Sequence, residues 1–322
     1  MMRAITLAQG EYRVSECERP VPASGEVLIR VAYAGVNRAD LLQKQGRYPL
    51  PERSPAIPGM EVSGEIAALG VKVKDWKVGD RVCALLREGA FGEYACAPAS
   101  LVLGVPGAVT LEQAAALPEA CFTAWISFVW QARLKANETV LIHGGASGVG
   151  SVAIQIARLL GARVFATAGT EEKCAVCKTL GAEKAIHYPS QDYVAAVKSA
   201  TEGRGVDVIL DMVGGDYFER NLDSLAEGGR LCLIAFLKGS KMPVNLSPIL
   251  FKRLSVMGSV LRPRPLKEKS RIALELRNGV WPGVASGAVK PVIDRIFSLE
   301  GAEKALERMD QGLNIGKILL KI

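Results

Sequence analysis

The run His143-Gly-Gly-Ala-Ser-Gly-Val-Gly150 carries the strongest chemical implication in this chain. Gly145 suits a tight turn, Gly148 lets backbone approach a diphosphate, and Gly150 lets a helix pack closely on a strand. Ser147 and Val149 complete the loop. A glycine run alone is weak evidence; its context makes it specific. It follows the apolar stretch Thr139-Val-Leu-Ile142 and opens a segment with apolar residues at 149, 152, 153, 156 and 160, the period of an amphipathic helix. Amides and the dipole at such a helix start attract phosphate, so these residues predict a dinucleotide site.

Which dinucleotide is decided at the end of the next strand, where NAD sites place an Asp or Glu against the ribose 2′-hydroxyl. Here the segment reads Ala166-Thr-Ala-Gly-Thr-Glu-Glu-Lys173, with Ala168 at the expected acidic position and Gly169 beside it. A carboxylate there would repel a 2′-phosphate, whereas the Thr170 hydroxyl and the Lys173 ammonium favour one. Glu171 and Glu172 fall in a first helical turn, where acids are ordinary dipole partners. The cofactor expected is NADPH.

The elements that must position these residues change character along the chain. Up to about residue 115 the sequence reads as short strands and turns: 26–33 is β-branched and strand-like, and 59–67 and 80–85 continue the texture. Residues 111–130 are helical in composition. After them come strands at 139–143, 163–167, 184–187, 206–211, 230–234 and 254–259, with helices at 149–160, 172–180, 193–200 and 216–226 between them. That alternation predicts right-handed βαβ units and a doubly wound parallel sheet. The last sixty residues or so lose the rhythm and end in a strand, 317–322. No internal repeat is present.

Composition narrows the class. A chain of 322 residues fits two domains, and 49% hydrophobic with 23% charged residues allows substantial cores. No apolar stretch reaches the roughly 18–20 residues of a membrane span, and the start lacks the pattern of a signal peptide, so a cytoplasmic location is expected. Seven scattered cysteines suit a reducing compartment; Cys174-Ala-Val-Cys177 falls in a helix without a second pair and reads as packing. The net charge of +7 is spread, apart from the basic stretch 262–271, and fits an anionic cofactor as well as it fits nucleic acid. His143, at the end of a buried strand, reads as a packed residue.

Six segments extend the reading: Asn37-Arg-Ala-Asp40, Gln45-Gly-Arg-Tyr48, Pro58-Gly-Met-Glu61, the loop 143–150, Asp211-Met-Val-Gly-Gly215 and Asn314-Ile-Gly-Lys317. In this order they resemble quinone oxidoreductases of the medium-chain dehydrogenase/reductase superfamily over essentially the whole chain. The likeness is strongest to the tumour-suppressor-inducible branch, beside the zeta-crystallin branch. It implies an α/β chain with a GroES-like β domain built from residues 1–118 and 263–322, and a doubly wound Rossmann domain at 119–262 inserted between them. It also implies a homodimer formed by the last strands of two nucleotide-binding sheets.

By position, the resemblance implies that Gly148 and Val149 line the pyrophosphate and that Thr170, Lys173 and Tyr188 hold the 2′-phosphate. Thr123 would sit by the nicotinamide, and Asn37 would hydrogen-bond near its reactive face. Gly214 would keep the adenosine side open, and Phe236 and Leu261 would approach the nicotinamide through backbone. Asn314, Gly316 and Lys317 would close over the cofactor, and Tyr48 would stand in the substrate cleft. Plainer readings stand beside these: Tyr188 as the end of a strand, Asn37 fixing a turn, Tyr48 lining a loop and Lys317 as a surface charge.

Zinc alcohol dehydrogenases of the same superfamily hold catalytic zinc through a Cys in a GxCxxD segment, a His in a GHE segment and a third Cys or Asp. The corresponding segments here are Gly35-Val-Asn37-Arg-Ala-Asp40 and Gly59-Met60-Glu61, and the third position falls at Glu119. One carboxylate falls short of the roughly three protein ligands a catalytic zinc needs. The four-Cys lobe is missing as well, with Cys96 alone in that region, and Ala39 stands where a hydroxyl relays protons. Alcohol oxidation without a Lewis acid is disfavoured. The expected reaction is direct hydride transfer to an acceptor that needs little activation, a small quinone. Reduction of an enone or 2-alkenal double bond is the nearest alternative. A non-catalytic NADPH-binding role, crystallin-like or RNA-associated, is the alternative of another class.

Overall fold

Short apolar runs punctuated by glycine and proline give the first part of the chain an antiparallel texture. In order come β1 (Met2–Ala8), β2 (Glu11–Cys17), β3 (Glu26–Val36), α1 (Arg38–Lys44), β4 (Glu61–Leu69), β5 (Arg81–Leu85), β6 (Tyr94–Pro98), β7 (Val102–Gly104), α2 (Leu111–Ala115) and α3 (Pro118–Trp125). The computed structural model describes residues 1–8, 10–48 and 56–322 and separates into two units, Met1–Glu119 with Pro265–Ile322, and Ala120–Arg264. The helical segment expected at 111–130 is broken. Pro118 cannot donate to a preceding turn, so α2 stops and α3 begins at the proline, passing into a π-helical turn over Ile126–Gln131.

The second unit alternates as expected: β8 (Thr139–Ile142), α4 (Gly148–Leu159), β9 (Arg163–Ala168), α5 (Glu171–Thr179), β10 (Lys184–His187), α6 (Tyr193–Ala200), β11 (Val206–Asp211), α7 (Tyr217–Ser224), β12 (Leu225–Leu233), α8 (Ser247–Phe251) and β13 (Ser255–Gly258). Its six strands run β10-β9-β8-β11-β12-β13, every neighbouring pair parallel. The chain leaves β8 on one side and returns as β11 on the other, so the topological switch point lies at the carboxyl end of β8, where the glycine loop begins. Val140, Leu141 and Ile142 are fully buried, as a strand covered on both faces requires. The helix expected at 216–226 stops at Ser224, because Leu225 already pairs with Val206 and begins β12.

The chain then returns to the first unit with α9 (Leu266–Gly279), α10 (Trp281–Ser286), β14 (Ile293–Ser298), α11 (Ala302–Asp310) and β15 (Lys317–Lys321). The basic stretch opens α9, where Lys269 is buried and Arg271 pairs with Glu275. The sheet of this unit runs β14-β15-β3-β4-β5-β7, with β6 also on β3. Val27, Ile29, Val31, Val62, Phe91, Leu306, Ile318 and Leu320 form its core, each burial contributing about 1.5–3 kcal/mol before entropy is counted. β15 lies antiparallel to β3, with Leu319 opposite Gly35 and Ile318 opposite Val36. That register sets Lys317 beside Asn37.

Candidate functional site

The glycine loop is shaped by lack of room. Gly145 N–H donates to the Thr167 carbonyl at 2.9 Å, tying the loop to β9. A side chain at 145 would stand 2.7 Å from Ala166 Cβ and 2.8 Å from Cys177 Sγ, and one at Gly150 would collide with the Gly144 carbonyl. Ser147 is the N-cap of α4, its Oγ accepting from Gly150 N at 3.0 Å. A helix cannot bond its own first amides, so the N–H groups of Gly148 and Val149 face out of the N-terminus of α4. A glycine turn that leads into outward-facing amides and a helix dipole fits a dinucleotide diphosphate.

A buried polar chain supports the loop from behind. His143 is fully buried; its Nε2 lies 2.7 Å from Asn221 Oδ1 and its Nδ1 3.0 Å from Thr167 Oγ1. Burial holds this histidine below its ordinary range, against the pull of Asp211 and the bond to Asn221. Neutral, it donates through Nε2 and accepts from Thr167. Asn221 Nδ2 in turn donates to Asp211 Oδ2 at 3.1 Å, and Asp211 Oδ1 accepts from Val213 N at 2.6 Å. His143 therefore packs and orients, and it joins the loops after β8 and β11. Gly214 in the second loop has φ +64°, and a side chain there would stand 2.7 Å from Phe236 Cδ1. The segment behind it is fixed by Leu237 N to Met212 O at 3.1 Å and Lys238 N to Val213 O at 2.8 Å. Phe236 is half exposed, Leu261 is buried, and Thr123 is half-buried on α3, its carbonyl accepting from Ser127 Oγ at 2.9 Å.

At the end of β9 no carboxylate is presented: Ala168 is buried and Gly169 has no side chain. Thr170 is the N-cap of α5, its Oγ1 accepting from Lys173 N at 3.1 Å, and Glu171 and Glu172 lie in the exposed first turn. Tyr188 N donates to Ala168 O at 3.2 Å, extending the ladder between β9 and β10. Its phenol lies over Gly169, where an added Cβ would meet Tyr188 Oη at 2.8 Å. The ring is 46% exposed, with one edge on Tyr217. Gly169, Thr170 and Tyr188 are thus brought together, with Lys173 on the adjoining helical turn.

The first unit holds a second polar cluster. Lys317 Nζ donates to Asn37 Oδ1 at 2.7 Å, pairs with Glu61 Oε1 at 2.5 Å and lies 3.6 Å from Glu119 Oε2. Asn37 Nδ2 donates to the same Glu61 oxygen at 3.0 Å, Glu119 N to the other at 2.8 Å, and Asn37 N to Asp40 Oδ2 at 2.8 Å. Gly35 makes the space, since a side chain there would run into the Glu61 carboxylate. Burial alone would lower Lys317, but attraction to Glu61 and Glu119 outweighs it and raises the ammonium above its ordinary range. The surface-charge reading of Lys317 is therefore corrected: its side chain is 4% exposed. Asn37, Lys317 and Glu61 turn their side chains on one another.

The turn before β15 carries bonds of its own. Asn314 Nδ2 donates to Gly316 O at 2.9 Å, and Ile315 N to Asp294 Oδ1 at 3.0 Å. Arg308 holds that carboxylate with bonds of 2.5 and 2.9 Å. Gly316 has φ +86°, and a side chain there would strike the Val292 backbone. Tyr48 is half-buried in the bend after α1, and residues 49–55 beyond it lie outside the described residues. Sequence reasoning missed Glu61 and Asp294 as positioning groups, because their partners are distant in the chain and no local motif marks them.

Among the described residues, no group of three or more His, Cys, Asp and Glu is placed to hold a metal ion, and no helix is long and apolar enough to cross a membrane. Residues 23–110 match the family described as the alcohol dehydrogenase GroES-like domain, and residues 148–276 that described as zinc-binding dehydrogenase. A quinone oxidoreductase of Lama guanicoe is 33% identical over 329 residues, covering 99% of this chain and 97% of its own. Three solved structures superpose closely. A mycobacterial protein complexed with NADPH is 32% identical, with a TM-score of 0.87 and 100% of both chains covered. An NAD-dependent alcohol dehydrogenase is 29% identical, with a TM-score of 0.89 and the same coverage. The CurK enoyl reductase is 26% identical, with a TM-score of 0.88 and 99% of each chain covered.

Proposed function

Because the chain belongs to the medium-chain dehydrogenase/reductase superfamily of oxidoreductases, with quinone oxidoreductases among its relatives, we propose that it is an NADPH-dependent, zinc-independent quinone oxidoreductase. The observation that carries the cofactor reading is the end of β9. A strand ending in buried Ala168 and bare Gly169, with Thr170, Lys173 and Tyr188 around it, offers donors and a cation where an NAD site offers a carboxylate. In this reading Gly148 and Val149 hold the diphosphate through their amides, seated on Gly145 and Ser147. Gly214, Phe236, Leu261 and Thr123 border the rest of the cofactor. When bound, the reduced nicotinamide supplies the hydride.

The donor set supports a reaction without zinc. At the three positions where zinc dehydrogenases place ligands stand the carboxamide of Asn37, the buried thioether of Met60 and Glu119. Asn37 and Glu119 already face the Lys317 ammonium, so a cation of the chain itself occupies their centre. These residues do not fit a zinc ion. With no Lewis acid to polarise an alcohol, the suited acceptor is one already electrophilic, and the protein's part is orientation, to which Asn37 and Tyr48 contribute.

Reduction of an enone double bond is the second reading, favoured by the likeness to the CurK enoyl reductase. Steady-state turnover of NADPH and NADH with ortho-quinones and 2-alkenals tests both. We further propose a homodimer contact at the edge strand β13, where Leu250, Phe251 and Val260 are exposed and, among the described residues, no further strand joins the sheet.

A further inference from the structure

His187 ends β10 beside the proposed 2′-phosphate subsite. Its Nε2 lies 3.2 Å from the Gly169 carbonyl oxygen. A carbonyl only accepts, so Nε2 carries the proton and the ring holds the backbone between Ala168 and Thr170 in place. On the other side, Nδ1 lies 2.9 Å from Ser190 Oγ and 3.1 Å from Glu171 Oε1. The neutral ring accepts from the Ser190 hydroxyl, and the protonated ring donates to Glu171. Both forms keep the bond to Gly169. They differ by one positive charge.

We propose that His187 is a specificity-determining residue for the 2′-phosphate: it holds the Gly169 carbonyl, and when protonated it adds a cation to the subsite. Preference for the 2′-phosphorylated dinucleotide then rises as pH falls. This rests on reading NADPH as the cofactor. The charged and titratable groups at this end of the elements meeting the ring are Glu171, Glu172 and Lys173 on α5, Tyr188 on its own turn, and Asp192, which is ion-paired with Arg220. Of these, Glu171 is the group the structure sets against the ring. It is 82% exposed and screened by water, so it leaves the imidazolium charge only partly offset. An imidazole gains its positive charge on protonation, so this contribution to the subsite is tied to pH.

The test uses two probes, adenosine 2′,5′-bisphosphate and adenosine 5′-monophosphate, bound to the full chain between pH 5.5 and 8.5. The affinity ratio of the two probes should exceed that of His187→Asn by about three- to tenfold at the acid end and converge with it at the alkaline end. Comparing the two proteins at each pH cancels the phosphate's own ionisation near pH 6. The chain has two histidines, and His143 is buried, so the ring proton resonance of His187 can be followed directly. Saturating bisphosphate should displace that resonance at the acid end, and saturating monophosphate should leave it in place. Should His187→Asn fail to fold, this comparison of the two probes on the unaltered protein decides. A better-bound bisphosphate with the same pH profile in both proteins, and an unmoved resonance, overturns the role of His187 alone. A bisphosphate bound no better than the monophosphate at any pH overturns the NADPH reading, and this proposal with it.

Discussion

Lys317 Nζ and Asn37 Oδ1 lie 2.7 Å apart, although 280 positions separate them in the chain. The antiparallel register of β15 on β3 brings them together, and the buried Glu61 carboxylate completes the cluster. Replacing Lys317 by Met keeps the stem and removes the charge, leaving Glu61 buried without a counterion. Breaking a buried pair in this way costs about 3–5 kcal/mol. Lys317→Met should therefore lower Tm by roughly 6–20 °C, and adding Glu61→Gln should restore part of the loss. The folded ammonium is held above its ordinary value of 10.5, so this stabilisation is complete below that pH and fades only as pH rises through the folded value. The Tm difference should accordingly stay constant from pH 6 to 9. A single variant melting with the parent protein contradicts the cluster's role.

Lys173 stands on the first turn of α5 next to the Thr170 cap. Lys173→Glu replaces a cation by an anion beside the proposed 2′-phosphate. It should raise the KM for NADPH by about ten- to a hundredfold while changing that for NADH by less than about threefold. Equal effects on the two cofactors would remove Lys173 from the subsite.

Asp294 is 5% exposed and bonds both Arg308 and the Ile315 amide, which fixes the 314–317 turn. Burial pushes its carboxyl up, but the Arg308 guanidinium and the Ile315 N–H outweigh that and hold it below the usual carboxylate range. The stability it contributes is present above the ordinary value of 3.8 and is lost as pH falls through the depressed folded value. Asp294→Asn should cost about 1–3 kcal/mol at pH 7, and urea melts of the two proteins should converge only at pH values below the ordinary carboxyl value of 3.8. A pH-independent difference would show that the charge is not what matters.

Much of this architecture was legible in the sequence because the deciding signals are local. The βαβ rhythm, the loop at 143–150 and the missing acid at Ala168 are each read from a short stretch, and Gly145 and Gly150 prove to be sites where backbone or neighbouring side chains leave no room. The Lys317–Asn37–Glu61 cluster was not legible. Local sequence left Lys317 open between a cofactor contact and a surface charge, and only sheet register shows that it is buried against Asn37. His187 was hidden for a similar reason: its partner Gly169 is fixed by the pairing of β9 and β10. The premature end of α7 at Ser224 likewise follows from Leu225 pairing with Val206 rather than from helix propensity.

The proposed dimer contact at β13 has a direct consequence. Phe251 and Val260 are 77% and 53% exposed in the single chain. Phe251→Glu with Val260→Glu should convert a dimer to monomers in sedimentation equilibrium without lowering helix content. A parent protein that sediments as a monomer at tens of micromolar, or a double variant that remains dimeric, would place the contact elsewhere or remove it.

The most direct test of the function is a steady-state comparison of NADPH and NADH, each with an ortho-quinone and a 2-alkenal as acceptor, in chelator-treated buffer. The account predicts a kcat/KM with NADPH at least about tenfold above that with NADH, turnover of the quinone without turnover of the alkenal, and no loss of rate on metal removal. Equal use of NADH would contradict the reading of Thr170, Lys173 and Tyr188. Turnover of the alkenal alone would replace the quinone by the enone reaction.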